Sequence, residues 1–427
     1  MGEQSDWLGT LPDGWRSVQL SEILRQHSEK VRVNPKEEYT RLGVRWYAEG
    51  PFKKDTVLGK EIKGTFLFKV EPTDFIYNRL FAWKGSFGVI PESMAGCCVS
   101  GEFPVFQVDR VQADPWFLWR WFSLPAVWKM IEDKSMGSTR TSRLRFKEED
   151  LLRLTIPLPP LLEQHAIANT ISTIQHAIEA QDKVLAATHT VKKSMMHHLL
   201  TYSAVSPANA AQVPLKETEG GTIPEKWETA ELGTIAEIVY GAQAAVAHST
   251  DKSIGTPIFT NINITNDGFL DLTTLRYYRI PESKRARLVL RKGDLLFNWR
   301  SGSQKVVGKT ALFDLEGEYT FSSFILRFRP RESVYNKYLF YYLHNIKLHG
   351  FFSQRRDQSS INSVFNATLA SKIPVAIPSL DEQQEISRTL TAIDKKIEME
   401  RRRSVALQVL FRTTLHQLMA GQIRTKD

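Results

Sequence analysis

Two long stretches of the chain carry apolar residues on alternating steps of four and three, which is the pattern of a coiled-coil helix. These positions are Ile167, Ile171, Ile174 and Ile178 in the first stretch and Ile386, Leu390, Ile393 and Ile397 in the second. Neither stretch contains an internal proline or glycine, so each is predicted to form one helix of about 40 residues, or roughly 60 Å. Helices of this length exceed an ordinary single-domain core and should therefore pair with each other along this seam.

Short runs of β-type residues precede each of these helices. They include "GTFLFKV", "DFIYN" and "EFPVFQVD" in the first half, and "DLLFNW", "GKTALF" and "SSFILRF" in the second. One aromatic segment follows each set, "PWFLWRWF" and "NKYLFYYL". Because these aromatics recur at helical spacing inside an apolar stretch, they are predicted to be core residues rather than stacking platforms. Each half of the chain is therefore predicted to form a mixed α/β domain.

The two halves are diverged copies of one unit, since matching segments recur in the same order. The matched pairs are Leu11–Ile23 with Ile223–Ile235, Asp74–Asn78 with Asp294–Asn298, Val105–Phe106 with Ile325–Leu326, Ile156–Pro157 with Ile373–Pro374, and Glu163–Gln164 with Glu382–Gln383. A two-fold-related duplicate brings its helices together antiparallel. The alternative is that each helix packs only on its own domain.

The predicted fold class is therefore α+β, with two duplicated mixed α/β domains separated by an antiparallel coiled coil of two long helices. The predicted boundaries are 1–157 for the first domain, 158–202 for the central helix, 203–222 for a surface linker, 223–375 for the second domain and 376–427 for the C-terminal helix.

Both helices open with a proline followed by Glu-Gln. In the second copy, Ser379 and Glu382 have the spacing of a capping box, in which the serine accepts from the N3 amide and the glutamate reaches back. The first copy has Pro160 at the serine position, so Glu163 is expected only to favour the helix dipole. At the seam, Gln181 and Glu400 place a polar residue near the middle of each helix, which we expect to fix the register.

Charge and cysteine content add a modest constraint. The 427-residue chain has a net charge of +9 and a pI near 9.3, which favours a polyanionic partner such as nucleic acid. Its only cysteines, Cys97 and Cys98, are adjacent, so no disulfide framework or zinc site is expected and the predicted location is the cytoplasm. No signal peptide or membrane span is predicted.

No catalytic motif is convincing. The segment Ser303–Thr310 resembles a phosphate-binding loop but has serine where that loop needs its first glycine. A methyltransferase would need a glycine-rich cofactor loop and an Asn- or Asp-Pro-Pro-aromatic motif, and neither occurs. The sequence therefore indicates a binding protein without metal or cofactor of its own. The alternatives are a stand-alone nuclease or methyltransferase with diverged motifs, and a scaffold that does not read sequence.

Polar and basic loops supply the candidate contacts to nucleic acid, because Ser, Thr, Gln, Lys and Arg hold phosphates and read base edges. The candidates are Lys84, Ser86, Ser138, Arg140, Thr141 and Arg143 in the first half, and Arg300, Ser301, Gln304, Lys305, Arg355, Gln358 and Ser360 in the second.

With its duplication, "IPLPPLLEQHAI" and "IPVAIPSLDEQQEI" before the long helices, and "LPDGW" and "IPEKW" at the domain starts, the chain resembles a type I restriction-modification specificity subunit. The resemblance covers nearly the whole chain. It implies a non-catalytic protein whose two target-recognition domains each read one half of a bipartite double-stranded DNA target. It also implies that the coiled coil sets the spacing of the half-sites and docks two methyltransferase subunits that carry S-adenosylmethionine, and that motor-nuclease subunits complete the complex.

The candidate loops differ between the copies, "GSTRTSRL" against "DQSSINSV", although the scaffold positions match. Two domains with different loops should read different sequences, so the target is expected to be asymmetric.

Overall fold

The structure is a computed structural model and describes residues 11–27, 29–135, 144–243, 252–301, 306–354 and 363–425. The chain divides into two compact units. The first combines the residues up to Asp182 with the C-terminal segment from Arg402, and the second is Lys183–Arg401. Each long helix therefore contributes one half to each unit.

In the first unit, the domain is built on sheets that are antiparallel except for one parallel pair of strands, Glu38–Val44 with Cys98–Val99. Its strands are β1 (Arg16–Gln19), β2 (Leu24–His27), β3 (Glu29–Arg32), β4 (Glu38–Val44), β5 (Pro51–Leu58), β6 (Phe66–Lys69), β7 (Phe75–Tyr77), β8 (Phe87–Val89), β9 (Cys98–Val99), β10 (Val105–Val108) and β11 (Thr155–Leu158). Its helices are α1 (Leu20–Ile23), α2 (Pro115–Trp121), α3 (Pro125–Lys134) and α4 (Glu148–Leu152). The first part of the long helix α5, which spans Leu161–Tyr202, also belongs to this unit. The sheet orders are β1-β11, β2-β10-β7-β8 and β3-β6-β9-β4-β5.

The second unit repeats part of this plan. Its strands are β12 (Leu215–Thr218), β13 (Gly221–Pro224), β14 (Glu228–Glu231), β15 (Ala236–Tyr240), β16 (Thr256–Phe259), β17 (Arg276–Tyr278), β18 (Leu295–Asn298), β19 (Arg300–Ser301), β20 (Thr310–Leu312), β21 (Thr320–Phe321), β22 (Ile325–Pro330), β23 (Ser363–Val364) and β24 (Pro374–Ile377). Its helices are α6 (Leu232–Ile235), α7 (Arg285–Leu288), α8 (Asn336–Leu348), α9 (Phe351–Gln354), α10 (Ala367–Ser371) and α11 (Leu380–Met419). The sheet β15-β22-β18-β20 has the order of β2-β10-β7-β8, and β14-β24 has that of β1-β11.

Strand register corrects the predicted alignment of the copies. In unit 1, Phe75 of β7 pairs with Phe106 of β10, and in unit 2 the equivalent Leu295 pairs with Phe328. Phe106 therefore corresponds to Phe328 and not to Leu326. A slip of two residues keeps every side chain on its original face of the sheet. The hydrophobic pattern consequently cannot detect the slip.

The same correction applies where the domain meets its helix. Val18 pairs with Ile156, and the equivalent Ala230 pairs with Val375. Ile156 thus corresponds to Val375 and not to Ile373, so the last strand and the following helix match without an intervening insertion.

The predicted surface linker 203–222 is also more structured than expected. It contains a 3-10 turn at Pro207–Gln212 and most of the β12–β13 hairpin. Thr218 closes that hairpin by donating its hydroxyl to the Gly221 carbonyl at 2.7 Å. A polar, glycine-containing sequence fits a hairpin turn as well as a surface linker, so its composition did not reveal the hairpin.

The aromatic helices lie in the cores, as predicted. In α2 the side chains of Phe117, Leu118 and Trp121 are buried, and the tyrosines of α8 fill the same place in the second unit. The aromatic face of each helix packs between its four-stranded sheet and the adjoining long helix.

The long helices pair antiparallel in each unit. Ile167 and Ile171, near the start of α5, share a core with Leu415 and Leu418, near the end of α11. In unit 2 the start of α11 packs in the same way with the end of α5. Each helix start also packs on its own domain, so the paired and own-domain contacts exist together. Of the predicted seam residues, Ile167, Ile171, Ile386, Leu390 and Ile397 are buried, and Ile174, Ile178 and Ile393 are half-buried.

Candidate nucleic-acid interface

Lys84 is half-buried among aromatic rings of the first domain. It ends the 3-10 turn Ala82–Lys84 that follows β7. Its ammonium group is 3.9 Å from the ring centroid of Trp46 and 4.9 Å from that of Trp83. Lys84 makes no ion pair with any residue that the structure describes, so its charge is not neutralised by a neighbouring carboxylate there.

Ser86 has a different environment. Its side chain is fully buried, and its hydroxyl donates to the carbonyl oxygen of Val44 at 2.8 Å. As placed, Ser86 holds the turn against the end of β4 and presents no group to a ligand.

Arg300 is exposed on β19, where it pairs with Val364 of β23. The preceding residue, Trp299, anchors this strand because its indole nitrogen donates to the Ser323 carbonyl at 2.7 Å. Arg300 is thus a surface cation on a fixed strand. The backbone of Ser301 belongs to the same strand, while its side chain is outside the described atoms.

The remaining predicted contacts lie outside the described residues and stay predictions. They are Ser138, Arg140, Thr141, Arg143, Gln304, Lys305, Arg355, Gln358 and Ser360.

Buried charges in the two domains have structural partners. Asp294 accepts two hydrogen bonds from the Arg329 guanidinium, at 2.7 and 2.8 Å, and these bonds raise the pKa of Arg329. The equivalent Asp74 accepts from the Glu71 amide at 2.8 Å, and burial raises the pKa of its carboxyl group. Both aspartates are core residues, so they are not offered to a bound ligand.

The Glu-Gln pairs join each domain to the helices. Glu163 accepts from the Trp15 indole at 3.1 Å and from the Arg424 guanidinium at 2.6 and 2.8 Å. Arg424 lies just beyond the end of α11, so one carboxylate connects the start of one helix to the end of the other. This contact was not predicted, since only an effect on the helix dipole was expected of Glu163.

Glu382 plays the corresponding part in unit 2. Its carboxylate accepts from the hydroxyl of Ser203, just beyond the end of α5, and lies 3.1 Å from the ammonium group of Lys226. The Ser379 hydroxyl accepts from the Glu382 amide at 3.4 Å, which is half of the predicted capping box. The predicted return contact from Glu382 is wrong, because Ser203 and Lys226 take its carboxylate.

The buried glutamines were missed as functional positions. Gln164 accepts from the Asp114 amide at 2.8 Å and donates to the carbonyls of Gln112 and Pro159 at 3.0 and 2.8 Å. Asp114 is the N-cap of α2. Both the oxygen and the nitrogen of the Gln164 side chain are therefore hydrogen-bonded. These bonds fix the aromatic helix α2 to the start of α5.

Gln383 makes the same set of contacts in the second unit. It accepts from the amide of Tyr335, the N-cap of α8, at 2.8 Å, and donates to the carbonyls of Ser333 and Pro378 at 3.4 and 2.9 Å. The recurrence of Glu-Gln in both copies was the available sequence signal for this joint.

The family model described as "Type I restriction modification DNA specificity domain" matches residues 12–186 and 224–409. Each match covers one domain and much of the helix that follows. The chain belongs to this family. The family and the α+β fold of two duplicated domains with long helices, both predicted from the sequence, are confirmed.

Proteins with similar sequences are named type I restriction enzyme specificity subunits. The MjaVIII type I restriction enzyme specificity subunit of Methanocaldococcus jannaschii is 23% identical over 439 residues, covering 98% of this chain and 95% of that protein. The EcoKI type I restriction enzyme specificity subunit of Escherichia coli K12 is 23% identical over 212 residues, covering 48% of this chain and 44% of that protein. These names favour recognition over the alternative of a stand-alone enzyme.

Solved structures show the same fold. The type I restriction-modification S subunit from M. genitalium superposes with a TM-score of 0.60 at 15% identity, covering 98% of this chain and 99% of that one. A structure described as the basis of complex assembly and conformational transition of the type I system gives a TM-score of 0.56 at 20% identity, covering 97% and 100%.

Two features are absent from the residues that the structure describes. No group of His, Cys, Asp and Glu side chains there is arranged to hold a metal ion. None of the helices in those ranges combines the length and apolarity needed to cross a bilayer.

Proposed function

We propose that this chain is the DNA sequence-specificity subunit of a type I restriction-modification complex and has no catalytic activity of its own. The observation that carries the proposal is that the DNA specificity domain model matches the chain twice, once for each copy of the fold. Two such domains in one chain suit a bipartite target, with one domain for each half-site. The basic net charge of +9 suits the phosphate backbone.

The two half-sites are proposed to differ in sequence. The domains share their four-stranded sheet but differ around it, because the first adds a five-stranded sheet and the second a three-stranded one. The candidate contacts differ too: Lys84 sits among aromatic rings in the first domain, whereas Arg300 lies on a two-stranded ladder in the second. Different surfaces select different base sequences, so the target is asymmetric.

The long helices are proposed to dock two methyltransferase subunits, which bring S-adenosylmethionine and flip the target adenine, and motor-nuclease subunits complete the restriction complex. Half-exposed apolar side chains on both helices support a protein partner there: Val184 and Val191 on α5, and Val405 and Val409 on α11. The boundaries 1–157, 158–202, 203–222, 223–375 and 376–427 remain our proposed division of the chain.

The test is co-expression of the full chain with the methyltransferase subunit of its own system, followed by genome-wide mapping of modified adenines. We expect one bipartite, asymmetric motif that appears only when this chain is present. A palindromic motif would contradict the asymmetry. Modification or cleavage by the purified chain alone would favour the stand-alone enzyme, and equal binding to scrambled DNA in the complex would favour the scaffold.

A further inference from the structure

The loop between β4 and β5 presents two large aromatic side chains at the surface of the first domain. It comprises Arg45–Gly50 and closes with a hydrogen bond from the Arg45 amide to the Gly50 carbonyl at 2.9 Å. Trp46 is 39% exposed and Tyr47 is 61% exposed. Exposed rings of this size on adjacent residues are unusual, because burying them contributes more to stability than burying most other side chains.

The backbone of this loop is strained in the conformation that exposes the rings. Tyr47 and Ala48 have φ angles of 56° and 57°, in the left-handed region that side-chain-bearing residues seldom adopt. Two hydrogen bonds hold them there: the Tyr47 amide donates to the Lys84 carbonyl at 2.7 Å and the Ala48 amide to the Gly85 carbonyl at 2.9 Å. Strain that the surroundings enforce in this way is concentrated at binding sites.

One cation contacts the Trp46 ring, and two more lie on the hairpin that carries the loop. The Lys84 ammonium group lies over Trp46, and Arg45 and Lys53 are exposed on the same hairpin. None of these three cations forms an ion pair with a residue in the described ranges, and the exposed acid of the loop is Glu49. Aromatic rings beside unpaired cations match duplex DNA, because a side-chain ring can insert between two base steps while a cation binds the neighbouring phosphate. This charge favours DNA over a protein partner.

We propose that Trp46 and Tyr47 form an aromatic tip that stacks against bases in the half-site read by the first domain, while Lys84 contacts the neighbouring phosphates. The proposal rests on the proposed DNA-recognition function and assigns specific residues to it. The β4–β5 hairpin presents the tip, and the turn that contains Lys84 keeps it rigid.

The experiment uses the full chain assembled with its methyltransferase subunit and carrying Trp46→Ala or Tyr47→Ala. Binding is measured on DNA duplexes in which either half-site is scrambled. We expect each variant to bind the intact target about 10- to 100-fold more weakly, as for the loss of a stacked base contact. Discrimination should fall for one half-site and stay unchanged for the other. Trp46→Phe and Tyr47→Phe keep a ring and should retain most of the affinity.

Phe66→Ala is the matched control. Phe66 is 40% exposed on β6 and has the Lys30 ammonium group 4.2 Å from its ring centroid. It therefore repeats the exposed ring and its cation without the strained loop, and its loss should leave DNA discrimination unchanged.

Two outcomes overturn the proposal. Unchanged discrimination in both alanine variants would remove the tip from the interface. An equal loss for both half-sites, together with failure of the complex to assemble during gel filtration, would assign the tip to a protein partner. If one alanine variant fails to fold, the phenylalanine and alanine versions of the other residue decide. Absence of sequence-dependent binding by the unsubstituted complex would reject the proposed function itself, independently of the tip.

Discussion

Gln164 and Gln383 each hold three chain segments together with one side chain. Both amides are fully buried, and each makes one acceptor and two donor contacts to main-chain groups. A buried amide with all these partners stabilises one arrangement, because any other leaves polar groups without hydrogen bonds. The angle at which each long helix leaves its domain is therefore fixed at these residues.

We predict that Gln383→Leu lowers the free energy of unfolding by about 2 kcal/mol, because the buried Pro378 carbonyl and the partly buried Tyr335 amide lose their hydrogen-bond partner. Denaturant unfolding followed by circular dichroism measures the change. Gln384→Leu is the control, since that neighbouring glutamine is exposed and its loss should change stability by less than about 0.5 kcal/mol. Equal effects of the two substitutions would show that the joint contributes nothing specific.

The long helices use different chemistry in the two units, although they are copies. In unit 2, Lys192 of α5 lies 2.6 Å from Asp394 of α11, and the Tyr341 hydroxyl donates to the same carboxylate at 2.7 Å. In unit 1 the position equivalent to Tyr341 is Arg120, which hydrogen-bonds Ser172 at 3.4 Å and whose pKa is lowered to about 10 by burial.

The counterpart of Lys192 in the copy is Phe411, which packs against the core of unit 1. Unit 2 thus has a largely buried ion pair where unit 1 has an apolar contact. The two helix pairings are therefore not interchangeable. Such polar positions select register and partner in coiled coils.

We predict that Lys192→Met destabilises unit 2 by about 2 kcal/mol, because it leaves the largely buried Asp394 carboxylate beside Tyr341 without its cation. Lys192→Met combined with Asp394→Leu should recover most of this loss, since no charge then remains buried. A double-mutant cycle from thermal or denaturant unfolding measures the coupling. Lys193→Met, at an exposed neighbouring position, is the control, and additivity of the Lys192 and Asp394 changes would contradict the prediction.

At the scale of the whole molecule, each unit is completed by a helix segment from the other copy. The core of unit 1 includes Leu415, Leu418 and Met419, and the core of unit 2 includes Met196 and Leu199. Neither copy of the sequence, taken as a domain with its own following helix, contains all of the core it needs.

We predict that fragments 1–212 and 213–427 are each unstable or aggregated when expressed alone, and form a soluble one-to-one complex when expressed together. Each lone fragment exposes the apolar surface that its missing helix half covers. Gel filtration with light scattering and limited proteolysis measure this. As a control, a protease site inserted after Gln212 and cut in the folded chain should leave the two pieces associated. Two separately folded, monomeric fragments would show that the helix exchange is dispensable.

Much of this architecture is encoded in short-range patterns. The heptad spacing from Ile167 and from Ile386 predicted helices that run 42 and 40 residues. The aromatic segments were predicted as core helices because their periodicity is local. The Glu-Gln pairs marked both helix starts, although their hydrogen-bond partners, such as Asp114 and Tyr335, lie about 50 residues away and could not be read from spacing.

The sequence alone determined the duplication, the two long helices, the α+β class and the absence of a familiar catalytic motif, because repeats and periodicities are written into neighbouring residues. Tertiary structure decided the strand register, since a two-residue slip leaves the pattern of a β-strand unchanged. It also decided which helix half completes each core, and it placed Trp46 against Lys84. Residues that are far apart in sequence come into contact only when the chain folds. A local sequence pattern does not show which of them will meet.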